Sequence, residues 1–146
     1  MAKTLRTVII DTYALMAKAT GEITPQANKH LEDVRNGKLK GLIHPLITYE
    51  FVLQFHKGRI PIFDTAQETL DFLETYFSTA ELSNNTALTA AEIRFKSDTL
   101  LTTLKRKLST CNSLTIALAK KTKTPIITGD KDLQTVAEKE NVETIW

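Results

Sequence analysis

Short continuous runs of β-branched and other apolar residues alternate along this sequence with longer segments of helical spacing. The clearest runs are residues 5–10, 39–44 and 125–128, and weaker ones occur at 79–82 and 142–145. Runs of this length that are apolar throughout are typical of strands buried on both faces. The alternation predicts a parallel sheet covered by helices on both sides, a three-layer α/β/α fold.

Capping residues predict where the intervening helices begin and end. Thr24 and Pro25 offer an N-cap followed by proline at the first helical position, and Asn36-Gly37 supplies a stop. Further helices are predicted to begin near Thr12, Pro45 and Asp64 and after Ser109, with one or two more over residues 86–107 and a last one over 132–139.

Length and cysteine content favour one intracellular domain. A chain of 146 residues can bury a sizeable core without cross-links, so residues 1–146 are expected to form a single domain. Cys111 is the only cysteine and is expected to be a small packed side chain, which suits the reducing cytoplasm. The apolar stretch behind Lys3 and Arg6 is interrupted at Asp11, too early for a signal peptide or a membrane span.

Basic residues are concentrated in the C-terminal part of the chain. Residues 94–131 contain nine Lys and Arg against Asp98 and Asp130: Arg94, Lys96, Lys105, Arg106, Lys107, Lys120, Lys121, Lys123 and Lys131. Two interpretations stay open. The bases could face the phosphates of a nucleic acid, or they could form an ordinary solvated helix surface that complements the helix dipoles.

Three carboxylates from distant parts of the sequence are predicted to meet at one edge of the sheet. Asp11 and Asp130 follow strands directly, and Glu50 lies in the second turn of the helix that leaves another strand. In doubly wound sheets the ligand crevice lies outside the carboxyl ends of the strands. Because clustered carboxylates repel one another, such a site requires a cation or protonation.

A hard divalent cation suits this set of oxygen ligands. The three histidines and Cys111 show no zinc spacing, whereas oxygen ligands favour Mg²⁺ or Mn²⁺. Such a cation lowers the pKa of a bound water and neutralises charge on a phosphate in hydrolysis. Cleavage of a nucleic acid is therefore the leading reaction class.

The motifs that carry these acids resemble those of PIN-domain proteins, close to the VapC-type toxins of toxin–antitoxin systems. The resemblance spans residues 5–145 and rests on Val8-Ile9-Ile10-Asp11-Thr12, Leu46-Ile47-Thr48-Tyr49-Glu50 and Ile126-Ile127-Thr128-Gly129-Asp130-Lys131-Asp132-Leu133. It implies a PIN-like fold with a central parallel sheet and a Mg²⁺- or Mn²⁺-dependent ribonuclease that cuts RNA. It also implies a homodimer, and a cognate antitoxin protein whose arm inserts a cation into the acidic site.

One position departs from the family pattern. In Leu108-Ser109-Thr110-Cys111-Asn112 the family places an aspartate where this chain has Asn112. An amide can offer its carbonyl to a cation but brings no negative charge and cannot act as a base. Asn112 is therefore expected to weaken or abolish catalysis, and it could belong to a natural inactive relative or be a deliberate isosteric substitution.

The site residues also have simpler interpretations. Asp11 and Asp130 could serve only as helix caps, and Glu50 could be a surface residue. Thr12 and Thr128 are expected to support the acids by hydrogen bonding, with helix capping and an ordinary strand end as the alternatives. Asp132 could contact the cation or help indirectly. The aromatics Phe51, Phe55, Phe72, Tyr76 and Phe77 are expected in the core or at a dimer surface rather than as base-stacking platforms.

Other functions fit the sequence less well. The runner-up is a PIN-fold module that binds RNA or protein without cutting. A phosphoacceptor domain would require an acid pair where Asp11 is followed by Thr12. The glycines show no dinucleotide-binding spacing.

Overall fold

A parallel sheet lies between two layers of helices in the computed structural model, which describes residues 5–102 and 106–146. The strands are β1 Thr7–Ile10, β2 Lys40–Ile43, β3 Ser78–Thr79, β4 Ile126–Ile127 and β5 Thr144–Ile145. The helices are α1 Thr12–Thr20, α2 Pro25–Arg35, α3 Pro45–His56, α4 Ala66–Tyr76, α5 Asn84–Leu101, α6 Thr110–Thr122 and α7 Lys131–Lys139.

The strand order is β3-β2-β1-β4-β5, and every pairing is parallel. In the register, Ile9 lies opposite Leu42 of β2 on one side and Ile126 of β4 on the other. The chain winds outward from β1 to β3 and then returns to add β4 and β5 on the opposite side. The order therefore reverses between β1 and β4, which is where doubly wound sheets bind their ligands.

Side-chain alternation along β1 builds two separate cores. Val8 and Ile10 pack with residues of α1, α2, α3 and α4 on one face of the sheet. Ile9 packs on the other face with residues of α5, α6 and α7. The alternation has a period of two residues, so a short strand serves both layers.

The alternating strand–helix pattern is confirmed, with shifts at several boundaries. β3 lies at Ser78–Thr79 rather than over 79–82, because Ser78 and Thr79 pair with the end of β2. α5 begins before residue 86, because Ser83 is its N-cap and accepts from the Thr86 amide. It ends at Leu101, and residues 106–109 have no helical structure, while 103–105 lie outside the described residues. Within the described part of the chain, no helix is long and apolar enough to span a membrane.

His44 joins the two cores as a fully buried polar residue between β2 and α3. Its Nε2 lies 2.8 Å from the Thr115 hydroxyl oxygen, and that hydroxyl donates to the Cys111 carbonyl oxygen. Nε2 must therefore carry the hydrogen. Nδ1 is then a buried acceptor without a partner among the described residues, and burial lowers the pKa of His44 to about 4.

We expect His44 to make the fold sensitive to acid. Its folded pKa lies below the ordinary value of 6.5, so its stabilising contribution is complete above about pH 6.5 and is lost as the pH falls toward 4. His44→Gln keeps a donor for Thr115 without a titrating group. Between pH 7 and 4, urea unfolding should show the wild type losing up to about 3 kcal/mol more than this variant. Parallel pH profiles for the two proteins would contradict this role.

Candidate functional site

The predicted carboxylates all line one crevice at the carboxyl edge of the sheet. Asp11 directly follows β1, Asp130 lies three residues beyond the end of β4, and Glu50 projects from α3. The crevice has a volume of about 550 Å³, within the range of ligand pockets. It is lined by Asp11, Thr12, Tyr13, Met16, Ala17, Thr20, Glu22, Glu50, Gln54, Arg59, Lys107, Ser109, Asn112, Asp130 and Asp132.

Asp11 is the most buried of these acids, with only 3% of its surface exposed. Its Oδ1 accepts from the Ala14 amide at 2.9 Å, so it caps α1, and its Oδ2 accepts from the Thr128 hydroxyl. The Thr128 oxygen in turn accepts from the Asp130 amide at 3.1 Å. One buried threonine thus connects the acid after β1 to the turn after β4.

Thr12 holds Glu50 at the edge of the crevice. The Thr12 hydroxyl donates to Glu50 Oε1 at 2.6 Å, across 38 positions of sequence. Thr12 is the first residue of α1, and its neighbour Asp11 provides the cap. Thr12 and Thr128 therefore each donate a hydrogen bond to one of the carboxylates.

Asn112 lies in the first turn of α6 and faces Asp130. Its amide Nδ2 donates to Asp130 Oδ2 at 3.3 Å, while Asp130 Oδ1 caps α7 by accepting from the Leu133 amide. The Asn112 backbone amide donates to Ser109, the N-cap of α6. The amide side chain thus occupies the place where an aspartate would bring a second carboxylate against Asp130.

Electrostatics couples the three acids. Burial raises the pKa of Asp11 to about 7, opposed by its hydrogen bonds from Thr128 and Ala14 and reinforced by the negative charges of Asp130 and Glu50. Desolvation of the charged form is the largest cause. Asp11 is therefore a carboxylate without an adequate counter-charge, in a crevice that favours positive charge.

The donor atoms are of the chemical type that hard divalent cations bind. The three carboxylates and the Asn112 amide carbonyl are oxygen ligands, as Mg²⁺ and Mn²⁺ prefer. Among residues 5–102 and 106–146, no three acidic, histidine or cysteine side chains form a ready-made ligand cluster. Protein donors instead hold both oxygens of Asp11 and of Asp130 and one oxygen of Glu50. A cation would therefore have to compete with these hydrogen bonds.

Only part of the basic surface reaches the crevice. Lys107 and Arg59 line it, and Arg106 pairs at 3.1 Å with Asp132, which also lines it. Asp132 is thus engaged by a base. Lys105 lies outside the described residues.

The second basic cluster, Lys120, Lys121 and Lys123, lies at the other end of α6. Asn112 is in the first turn of that helix, so Lys121 is about 13 Å further along its axis. Lys120 pairs with Glu140, and Lys121 donates to Ser83. Of the bases in the C-terminal stretch, Lys107 thus lines the crevice, whereas these three lysines lie toward the opposite edge of the sheet.

Sequence reasoning missed three side chains near the acids. Arg59 reaches the crevice from the loop after α3, and no local motif marked it. Tyr13 also lines the crevice, and Trp146 packs against Tyr13 with ring centroids 5.4 Å apart. The one sequence signal that Tyr13 lies near the site is its position directly after Asp11-Thr12.

The aromatic residues singled out from the sequence lie elsewhere. Phe51, Phe72, Tyr76 and Phe77 line a separate apolar cavity of about 320 Å³ that α1, α2, α3 and α4 help to form. Phe55 packs against the same core. They thus pack in or against a hydrophobic core, away from the acids, and a contribution to a dimer surface stays a prediction.

The arrangement of sheet and helices is that of a PIN-like three-layer α/β/α fold, as the motifs predicted. Solved structures that share it include VapBC2 from Rickettsia felis bound to a DNA fragment from their promoter, with a TM-score of 0.64 and 14% identity over 94% of this chain and 96% of that one. PAE2754 from Pyrobaculum aerophilum has a TM-score of 0.57 and 17% identity over 97% and 92%. No family profile and no curated protein matches the sequence. At these identities the likeness establishes the fold.

We expect Thr128→Val to destabilise the protein. The change removes the donor to buried Asp11 Oδ2 and the acceptor of the Asp130 amide. Leaving buried polar groups unpaired should cost about 1–3 kcal/mol, measured by urea unfolding in chelator, whereas Thr128→Ser should cost less. Thr135→Val is the matched control, because exposed Thr135 only donates to the carbonyl of Lys131 within its own helix. Equal losses at both positions would show that Thr128 does not hold the acids.

Proposed function

We propose that this chain is a Mg²⁺- or Mn²⁺-dependent endoribonuclease of the PIN/VapC-like type, acting as a single domain over residues 1–146 in the cytoplasm. The observation that carries the proposal is the gathering of Asp11, Glu50 and Asp130 in one crevice at the switch point of the sheet. Burial, with a smaller contribution from the negative charges of Asp130 and Glu50, raises the pKa of Asp11 to about 7, and a cation in the crevice would offset these unfavourable effects.

Each side chain has a distinct role in this proposal. Asp11, Glu50 and Asp130 hold the cation, and the Asn112 carbonyl is a neutral fourth oxygen donor. When bound, the cation supplies charge neutralisation at the phosphate and a water of lowered pKa. Thr128 and Thr12 fix the orientation of Asp11 and Glu50.

Basic residues at the rim of the crevice favour a polyanionic substrate. Lys107 and Arg59 lie beside the acids and can attract phosphates that the carboxylates alone would repel. Arg106 is held near the same rim by its pairing with Asp132. RNA is the proposed substrate.

A second candidate, a PIN-fold module that binds RNA or protein without cutting, is favoured by one contact. The Asn112 amide donates to Asp130 Oδ2, so a neutral donor already satisfies an oxygen that a cation would need. An asparagine also brings no charge to hold the cation. Comparing the activity of the protein with Asn112 and of a variant with a carboxylate at this position therefore separates the two candidates.

We expect Asn112→Asp to raise metal affinity and cleavage together. In chelator the new carboxylate faces Asp130 and loses the amide's hydrogen bond, so the melting temperature should fall. With Mn²⁺ the variant should gain more thermal stability than the wild type and should cleave single-stranded RNA faster.

Two variants control this comparison. Asn85→Asp adds the same charge at an exposed site in α5, outside the crevice, and should leave the metal response unchanged. Asp11→Asn in the Asn112→Asp background should abolish cleavage, which excludes a contaminating nuclease. Equal metal-induced shifts and equal rates in wild type and Asn112→Asp would place residue 112 outside the constellation. RNA binding without cleavage in every variant would favour the non-cutting module.

We further propose a cognate antitoxin protein as partner, whose basic arm enters the acidic crevice. Support comes from the resemblance to VapC-type toxins, from the fold shared with VapBC2, and from the poorly compensated charge of buried Asp11. A cationic side chain would supply the missing counter-charge without any metal.

A homodimer is proposed through an apolar stripe on α5. Leu88, Ala91 and Phe95 follow one another at helical spacing and are all exposed. Leu88 and Phe95 are 72% and 79% exposed, which is unusual for large apolar side chains that share one helix face. A symmetric contact between two copies of α5 would cover both stripes.

We expect Phe95→Glu to prevent this association. A carboxylate within this apolar contact would be desolvated without a partner, so sedimentation should show dimer for the wild type and monomer for the variant. Tyr49→Glu makes a comparable change at an exposed aromatic residue of α3 and should remain dimeric. A wild-type monomer, or a dimeric Phe95→Glu protein, would contradict the assignment of this stripe.

A further inference from the structure

An aromatic pair is fixed against the turn that carries Asp130. Tyr13 and Trp146 meet edge to face, with ring centroids 5.4 Å apart and an interplanar angle of 79°. A Cβ placed on Gly129 would lie 2.5 Å from Tyr13 Cε1 and 2.5 Å from Trp146 Cε2. Both rings therefore pack closely over Gly129, and a side chain at this position would force at least one of them to move.

This packing ties the pair to both acid-bearing segments. Tyr13 is two residues beyond Asp11 in the first turn of α1, and Gly129 directly precedes Asp130. Tyr13 lines the crevice together with the acids and Lys107. The ring therefore lies within the same crevice as the carboxylates that would receive a phosphate.

The Tyr13 ring is held in place but not covered. It is 48% exposed, while Trp146 is partly buried and packs against the core formed with α1 to α4. The Tyr13 hydroxyl has no hydrogen-bond partner among the described residues. A side chain serving only the core would bury its face, whereas this one presents a rigid aromatic surface to the crevice.

We propose that Tyr13, supported by Trp146, is a stacking platform for one nucleobase of single-stranded RNA, next to the phosphate that the acidic crevice receives. The inference rests on the proposed function for the identity of the ligand. Aromatic faces bind unpaired bases by stacking, and they do so largely irrespective of sequence. Although Trp146 and Gly129 contact the Tyr13 ring, the side chain remains 48% exposed and is accessible to a base.

The test measures binding rather than cleavage. Trp146 is the only tryptophan of the sequence, so its fluorescence reports on occupancy of the platform. A short single-stranded RNA of fixed sequence is titrated in Ca²⁺ and compared with a series in which each position in turn is abasic. Removal of one particular base should weaken binding by roughly fivefold to a hundredfold, with loss of the fluorescence change, because only one base meets the platform.

Variants of Tyr13 test whether the loss of affinity for the abasic RNA depends on the Tyr13 ring. Tyr13→Leu should weaken binding of the intact RNA to the level of the critical abasic RNA and should bind both equally, whereas Tyr13→Phe should retain the difference. Tyr49→Leu is the matched control, because Tyr49 is 66% exposed and does not line the crevice. Thermal melts of each variant exclude unfolding as the cause.

The outcomes separate this proposal from the nuclease itself. If Tyr13→Leu weakens intact and abasic RNA equally, or if no abasic position carries a penalty, the platform is wrong even where Asn112→Asp cleaves RNA. If the Tyr13-dependent base penalty is present but no variant cleaves, the platform stands and the proposed catalytic activity fails.

Discussion

The rest of the site depends on a buried carboxylate at the end of the central strand. Asp11 is held by the α1 amide of Ala14 and by the Thr128 hydroxyl, and Thr128 also accepts from the Asp130 amide. These contacts join the ends of β1 and β4 where the strand order reverses. Burying an acid there costs stability, which is expressed in its raised pKa. Such a cost is typical of positions kept for binding or catalysis rather than for folding.

Much of the fold could be predicted because its signals are local. Apolar runs gave the strands, and Thr24, Pro25 and Ser109 marked helix starts that the structure retains. Boundaries were less predictable where pairing partners decide them. The position of β3 is set by its pairing with the end of β2. Its own two residues are exposed and polar, so no apolar pattern could locate it.

The acids could be placed because topology carries them to a common edge, but the surrounding surface could not. Lys107 and Lys121 belong to one basic stretch of sequence, yet only Lys107 lines the crevice, because α6 carries Lys121 toward the opposite edge. Tyr13 and Trp146 are separated by nearly the whole chain. They meet because Tyr13 follows β1, Trp146 follows β5, and only β4 lies between these two strands in the sheet. Contacts of this kind depend on packing in three dimensions and leave no periodic signal.

Asn112 determines how the crevice balances its charge. Its neutral amide donates to Asp130 Oδ2, so this oxygen has a hydrogen-bond partner without a cation. A carboxylate in its place would add repulsion to a crevice where Asp11 is already poorly compensated, and the folded state would then depend on positive charge from elsewhere. The amide thus stabilises the metal-free fold and weakens cation binding, because both effects come from the same missing negative charge. Metal-free stability and metal affinity are therefore opposed at this one position.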